Sequence, residues 1–221
     1  VGPVEIDWDH PITRGLTEFY LMNSYRSLMG RQFNPLQLFP DFVYVEPRNG
    51  NLVMNVVDTG SSSDIVLEPF IEDNSPVTFL HEMTIDIDIT NIVTFRSNSN
   101  FSLLTRFITG NAEFLINSLT GVDRIAQTVT VPSTGDTVTL GGSWGGAGNK
   151  LRVISKTPIN GVKMTDAASA STGTYTSGEP TLNTGNNFDG SFNYLACWNR
   201  QLSITETRLF LTNPYQFLIP K

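Results

Sequence analysis

Three patterns in this sequence could carry chemistry. The first is Glu5-Ile6-Asp7-Trp8-Asp9, in which three carboxylates alternate. Alternate residues of a strand point to one face, and retaining glycoside hydrolysis needs two carboxyls roughly 5–5.5 Å apart on one face. The last of the three, Asp9, is a methylene shorter than Glu, and the motif stands at the start of the sequence. Asp86-Ile87-Asp88-Ile89-Thr90 repeats the alternation but ends in Thr90. Both read better as solvated strand acids. The second pattern, Gly141-Gly142-Ser143-Trp144-Gly145, satisfies Gly-Xaa-Ser-Xaa-Gly. That motif exposes a nucleophile only where a strand turns sharply into a helix, whereas glycines and another strand follow here. The two histidines, His10 and His81, both precede Ser143, so the order Ser…Asp…His is not met. The expectation is a chain with no catalytic residues, not an enzyme.

The third pattern is one of binding. Trp144, Tyr175 and Tyr25 stand beside glycine- or serine-rich stretches. Exposed rings there would stack on sugar C–H groups, which makes these three the candidate glycan contacts. The competing reading is core packing, since the chain spends 14 phenylalanines as well. Asp58, Asp64, Asp166 and Asp189 fall in or beside predicted loops. Calcium takes six to eight oxygens, drawn from several loops. No dense acidic loop offers them, so no metal and no cofactor is expected, with calcium kept as the lesser alternative.

The totals narrow the class. The 221 residues carry 21 acids against 14 bases, a net charge of −7. Only Lys150, Lys156, Lys163 and Lys221 are lysines, and no basic stripe suited to nucleic acid appears. No apolar run approaches the ~18 residues of a membrane span, and the first residues show no signal-peptide pattern. A chain of this length buries roughly 70% of its unfolded surface and needs no staple. The single Cys197 allows no internal disulfide and reads as a small buried hydrophobe.

Period-two alternation dominates the elements that must position these residues. Strands are expected over residues 16–22, 52–56, 64–67, 82–92, 101–108, 112–118, 125–131, 137–140 and 150–155. The clearest is 82–92, with Met83, Ile85, Ile87 and Ile89 on one side and Thr84, Asp86, Asp88 and Thr90 on the other. Thr109-Gly110-Asn111 closes a hairpin. Residues 141–149 read as a glycine-rich loop and 165–181 as a long flexible loop or irregular edge. Residues 33–42 and 215–220 are apolar and irregular, plausible docking arms. After the Asn187-Phe188-Asp189-Gly190 turn, Phe192, Tyr194, Ala196 and Trp198 alternate with Asn193, Leu195, Cys197 and Asn199. The aromatic face is expected between two sheets. Ser203-Ile204-Thr205-Glu206 fits a capping box that starts a helix to about Thr212, and Pro214 prevents it from running on. The fold class is all-β: a jelly-roll sandwich of two antiparallel sheets with one short C-terminal helix.

The stretch FDGSFNYLACWNRQLSITETRLFLTNPY resembles the closing segment of laminin-G-like domains of the concanavalin A-like lectin/glucanase superfamily, in the variant found in bacteriophage and prophage virion proteins. Asp7-Trp8-Asp9-His10-Pro11 with Gly15-Leu16, and Trp144 followed by the glycine turn, Asn149-Lys150-Leu151-Arg152-Val153 and Asn160-Gly161-Val162, resemble its opening and its central segment. Pro158 departs from the usual pattern. The resemblance implies one concanavalin A-like domain over residues 1–221, with irregular arms at 1–15 and 213–221. It implies a non-enzymatic virion protein, a capsid decoration or tail-associated module, located in the virion. Its expected partners are other virion proteins, among them capsid or tail subunits, and copies of itself in a homo-oligomer. The alternative is a lectin-like module for host or environmental glycans, and the less favoured one a glucanase-like glycosidase. Glycosidases of this fold carry Glu-Xaa-Asp-Xaa-Glu mid-chain, and the sequence here breaks that motif. Many relatives also hold calcium, but Asn193 replaces one of their carboxylates.

Overall fold

The computed structural model describes residues 3–22, 27–29, 43–48, 51–56, 64–86, 91–96, 103–108, 110–116, 123–183 and 190–221. In chain order the strands are β1 (Val4–Ile6), β2 (Leu16–Tyr20), β3 (Val43–Arg48), β4 (Asn51–Val56), β5 (Asp64–Val66), β6 (Val77–Ile85), β7 (Asn91–Arg96), β8 (Leu103–Ile108), β9 (Asn111–Ile116), β10 (Asp123–Thr128), β11 (Thr137–Trp144), β12 (Lys150–Thr157), β13 (Gly161–Ala170), β14 (Thr181–Asn183), β15 (Gly190–Trp198) and β16 (Leu218–Pro220). One helix, α1 (Ile204–Thr212), follows β15. Among the described residues, one sheet has eight strands in the order β13-β12-β11-β6-β15-β4-β3, with β2 also on β15. A six-stranded sheet runs β10-β9-β8-β7-β14-β5. Their pairings are antiparallel, and the two sheets pack face to face as a β-sandwich of the jelly-roll kind.

The core between the sheets joins Phe79, Met83 and Ile85 of β6 to Leu103, Phe107 and Phe114 of the smaller sheet. Gly142 permits this approach, since an added Cβ there would lie 2.5 Å from the Phe114 ring; at Gly141 an added Cβ would instead collide with the Phe79 carbonyl of the neighbouring strand in the same sheet. The glycine run expected to be a loop is therefore, up to Trp144, the last half of β11. Of the segment 165–181, expected as a long flexible loop or an irregular edge, the part up to Ala170 is an edge strand of the larger sheet, with a register shift in its pairing. Beyond it the chain is irregular but tied down. Asp123 Oδ2 accepts from the Ser171 hydroxyl at 2.7 Å and the Gly173 N–H at 2.5 Å, and Asn74 Oδ1 accepts from the Tyr175 N–H at 2.7 Å.

A second core lies on the other face of the larger sheet. Tyr194, Ala196 and Trp198 meet Phe19, Phe210 and Phe217 there. Phe192, Leu195 and Cys197 belong to the first core. The expectation that one aromatic face would lie between the sheets therefore holds for Phe192 and fails for Tyr194 and Trp198. The reason is a β-bulge: Phe192 pairs with Met83 and Tyr194 with Glu82, so Asn193 is an extra residue. One extra residue exchanges the faces of everything after it.

The helix closes this second core. Ser203 accepts from the Glu206 N–H while the Glu206 carboxylate accepts from the Ser203 N–H, so the capping box forms as expected. Arg200 donates to Glu206 at 2.8 Å, and that bond, with the Ser203 contacts, holds the Glu206 carboxyl down at about 2. Phe210 meets Trp198 edge-on at 5.0 Å. The terminal segments complete the cover. β1 pairs with β16, the Trp198 indole N–H donates to the Ile12 carbonyl at 2.8 Å, and Phe217 is fully buried. The apolar tail expected to dock does so on its own domain. The other expected docking segment, 33–42, lies outside the described residues.

His81 faces the first core, its ring 6.4 Å from that of Phe192. Burial pushes its imidazole down to about 3, from an ordinary value near 6.5. The unfolded chain therefore takes up the proton first. Stability is fully present above pH 6.5 and is lost as pH falls from there towards 3, by up to about 1.4 kcal/mol per pH unit. Urea denaturation across that window should show this slope, and His81→Gln, which takes no proton, should flatten it.

Candidate functional site

The residues singled out in the sequence do not come together as a site. Glu5 is on β1 opposite Ile219, while Asp7 Oδ1 accepts from the Asp9 N–H in the turn that follows. These acids serve a strand rim and a turn. Ser143 is fully buried within β11, its hydroxyl 3.0 Å from that of Thr78, with no strand-to-helix turn to expose it. Trp144 and Tyr175 do meet, edge-on at 5.6 Å, but in the interior, at 0% and 2% exposure. Trp144 ends β11 on the face that looks into the sandwich, and the Tyr175 hydroxyl donates to the Ser75 carbonyl at 2.7 Å. This corrects the expectation of solvent-facing rings at both positions. The cavity beside Tyr175, between Phe70, Val77 and Cys197, measures about 40 Å³. That suits a water or so, not a sugar. Tyr25 lies outside the described residues. So do Asp58 and Asp189; Asp64 opens β5, and Asp166 is paired with Arg152 at 2.6 Å. Among the described residues, no group of three or more His, Cys, Asp or Glu could hold a metal, and no helix is long and apolar enough to cross a membrane.

A different set of residues does converge. On β6 the positions alternating with the inward Phe79, His81 and Met83 are Leu80, Glu82 and Thr84. Leu80 lies under the helix cover; Glu82 and Thr84 are beyond it and only partly buried. Register brings Thr139 and Tyr194 alongside Glu82, and Thr137 alongside Thr84. The bulged Asn193 donates from Nδ2 to Glu82 Oε1 at 3.2 Å and to the Thr84 hydroxyl at 3.4 Å. The Thr139 hydroxyl donates to Glu82 Oε2 at 3.4 Å and lies 3.4 Å from the Tyr194 hydroxyl. Thr84 and Thr137 hydroxyls are 3.0 Å apart. A continuous polar strip thus crosses β11, β6 and β15 at the edge of the second core.

Aromatic and charged neighbours flank the strip. Tyr215, just after the helix, meets Tyr194 edge-on at 6.1 Å and leaves 43% of its surface exposed. Lys156 reaches the helix end, donating to the Leu211 carbonyl at 2.7 Å. Burial raises the Glu82 carboxyl above its usual range, against the opposing effects of Asn193, Lys156 and Thr139. Burial, with the Glu82 charge second, pushes the Tyr215 hydroxyl up to about 12. An ionised carboxylate has about four acceptor positions. Glu82 fills two of them with side-chain bonds, both long. In its ionised form it is partly desolvated and has acceptor capacity to spare, beside an exposed ring. Sequence reasoning began a strand at Glu82 and ran it to 92, where the structure has β6 over Val77–Ile85, and it gave Glu82 no role. The available signal was the same-face pair Glu82 and Thr84; what joins them to Asn193 is the bulge.

No protein-family model matches the chain, and no curated protein matches it. Solved structures do. Domain 4 of AbnA, a GH43 extracellular arabinanase from Geobacillus stearothermophilus, in complex with arabinotriose, matches at 14% identity and TM-score 0.56, over 86% of this chain and 95% of that one. The binding domain of botulinum neurotoxin serotype C1 matches at 11% and TM-score 0.61, over 93% and 53%. Trypanosoma rangeli sialidase matches at 13% and TM-score 0.59, over 93% and 34%. The chain thus spans about a third of the sialidase, half of the neurotoxin domain and nearly all of the arabinanase domain. At these identities the likeness establishes the fold alone: a β-sandwich of two antiparallel sheets.

The raised carboxyl of Glu82 has a consequence for stability. The folded chain holds this proton more tightly than the unfolded one. Its contribution is therefore fully present below about pH 4.5, and is lost as pH rises through the folded value. Above that, the ionised carboxylate is a cost. Glu82→Gln should unfold at the same or a higher temperature than the parent at pH 7, with the difference shrinking as pH falls to 4. Thermal scans at the two pH values check this.

Proposed function

We propose that this chain is a non-enzymatic, lectin-like carbohydrate-binding β-sandwich, and that the strip of Glu82, Asn193 and the threonines, flanked by Tyr215, holds the glycan. The observation that carries the reading is the under-bonded Glu82 carboxylate beside an exposed aromatic ring. Ligand sites combine an apolar surface with a few convergent polar groups, and a sugar presents both C–H faces and hydroxyl pairs. The fold supports the reading, because a domain of nearly the same extent is known in complex with arabinotriose. Hydrolysis by paired carboxyls would need a second one, and the side chains bonded to Glu82 are an amide and a hydroxyl.

A virion setting is a separate proposal. It rests on the resemblance of the opening and closing segments to phage virion domains, and none of the three structures above is a virion protein. The two proposals are compatible, since a sugar-binding domain can decorate a particle and contact capsid or tail subunits. Finding the chain in purified particles by mass spectrometry would support the virion proposal, and its absence from them would remove it.

A glycan array followed by calorimetry with arabinotriose and other short oligosaccharides tests the binding reading. At least one glycan should bind, and Tyr215→Ala should weaken it roughly tenfold, the ~1.4 kcal/mol of one aromatic contact. Failure of every glycan at millimolar concentration would remove this reading.

A further inference from the structure

We infer that the ligand of the Glu82 strip is a sugar without negative charge, taken through a pair of adjacent hydroxyls, and that acidic sugars are refused. This rests on the carbohydrate-binding reading above and names the class of ligand.

The argument is a count of donors and acceptors. Ionised Glu82 accepts only, and its two side-chain bonds, from Asn193 and Thr139, leave the rest of its acceptor capacity open. The Asn193 amide spends its nitrogen on Glu82 and Thr84, which leaves its oxygen to accept. Thr84 and Thr137 present hydroxyls that are already shared with each other, and the buried Thr139 hydroxyl is shared with Glu82 and Tyr194. The open valence of the strip is therefore mostly acceptor. Neighbouring sugar hydroxyls supply donors at the spacing of two carboxylate oxygens, and hydrogen bonds to an ionised acceptor are the stronger kind. A sugar carboxylate, sulfate or phosphate brings acceptors and a like charge instead.

Among the described residues, Lys156 is the cation that acts on the strip, and it is committed elsewhere. Lys156 lowers the cost of ionised Glu82, but its ammonium is anchored on the Leu211 carbonyl at 2.7 Å. Carbonyls at a helix C-terminus carry partial negative charge, which favours a cation there. The exposed part of Tyr215 offers its ring to the C–H face of the same sugar.

The experiment compares lactose, arabinotriose and cellotriose with 3′-sialyllactose and trigalacturonate, by calorimetry at pH 7 and moderate salt. A member of the uncharged set should bind at least about tenfold tighter than either acidic sugar, a difference of about 1.4 kcal/mol. Glu82→Gln should weaken uncharged binding about tenfold and narrow that preference. Its thermal midpoint, measured in parallel, identifies a folding defect. Tyr215→Ala is the second variant, because it should weaken binding without changing the preference. Equal or tighter binding of an acidic sugar, or a preference unchanged in well-folded Glu82→Gln, overturns the inference and leaves the carbohydrate reading standing. If neither set binds, the inference falls together with that reading.

Discussion

The structure turns on one extra residue in β15. That strand runs through the middle of the larger sheet and is buried on both faces. Without the bulge at Asn193, Phe192 and Tyr194 would share a face. With it, Phe192 enters the core between the sheets while Tyr194, Ala196 and Trp198 turn to the core under the helix. The same insertion leaves a polar side chain at the boundary, where it reaches Glu82 and Thr84. Bulges of this kind re-aim a side chain at the point where they occur, and here the redirected side chain joins the strip that we assign to binding.

The second core accounts for both ends of the described chain. A sheet with an apolar outer face must be covered, and α1, the turn after β1 and the β1–β16 pair supply the cover. Its rings meet largely edge to face, as in the Trp198–Phe210 and Phe19–Phe217 contacts at 5.0 Å. That geometry adds to the gain from burial. The cover stops short of Glu82, Thr84 and Thr137. The candidate site is thus the part of one sheet face that the helix and termini leave open, with Tyr215 at the limit of the cover.

Two titratable groups on neighbouring positions of β6 meet opposite fates for the same physical reason. His81 points inwards and is driven to its neutral form by burial. Glu82 points outwards, and a partial version of the same desolvation raises its carboxyl. The strand's alternation, not any sequence motif, separates a core histidine from a carboxylate with capacity to bind. Glu82 is thus held at some cost to stability with acceptor positions unfilled, and the binding proposal rests on that combination.

Much of the architecture was legible in the residues. Alternation identified most of the strands, turn chemistry gave the hairpin at Gly110, and the Ser203–Glu206 capping box with Pro214 bounded the helix. Composition pointed to an all-β sandwich, and Cys197 is buried as its position suggested. Local pattern erred where distant contacts decide. Gly141 and Gly142 resemble a loop but pair within a strand, and glycine stands there because Phe79 and Phe114 leave no room for a Cβ. Trp144 and Tyr175 look available beside glycine and serine, yet packing takes both inside. The sequence by itself determined most of the segments that extend, turn or coil, since those preferences act between near neighbours. Only the tertiary structure decided which face of each strand is buried and which carboxylate stands at an open boundary. A one-residue bulge reverses the faces of a strand, and only its register against the next strand reveals it.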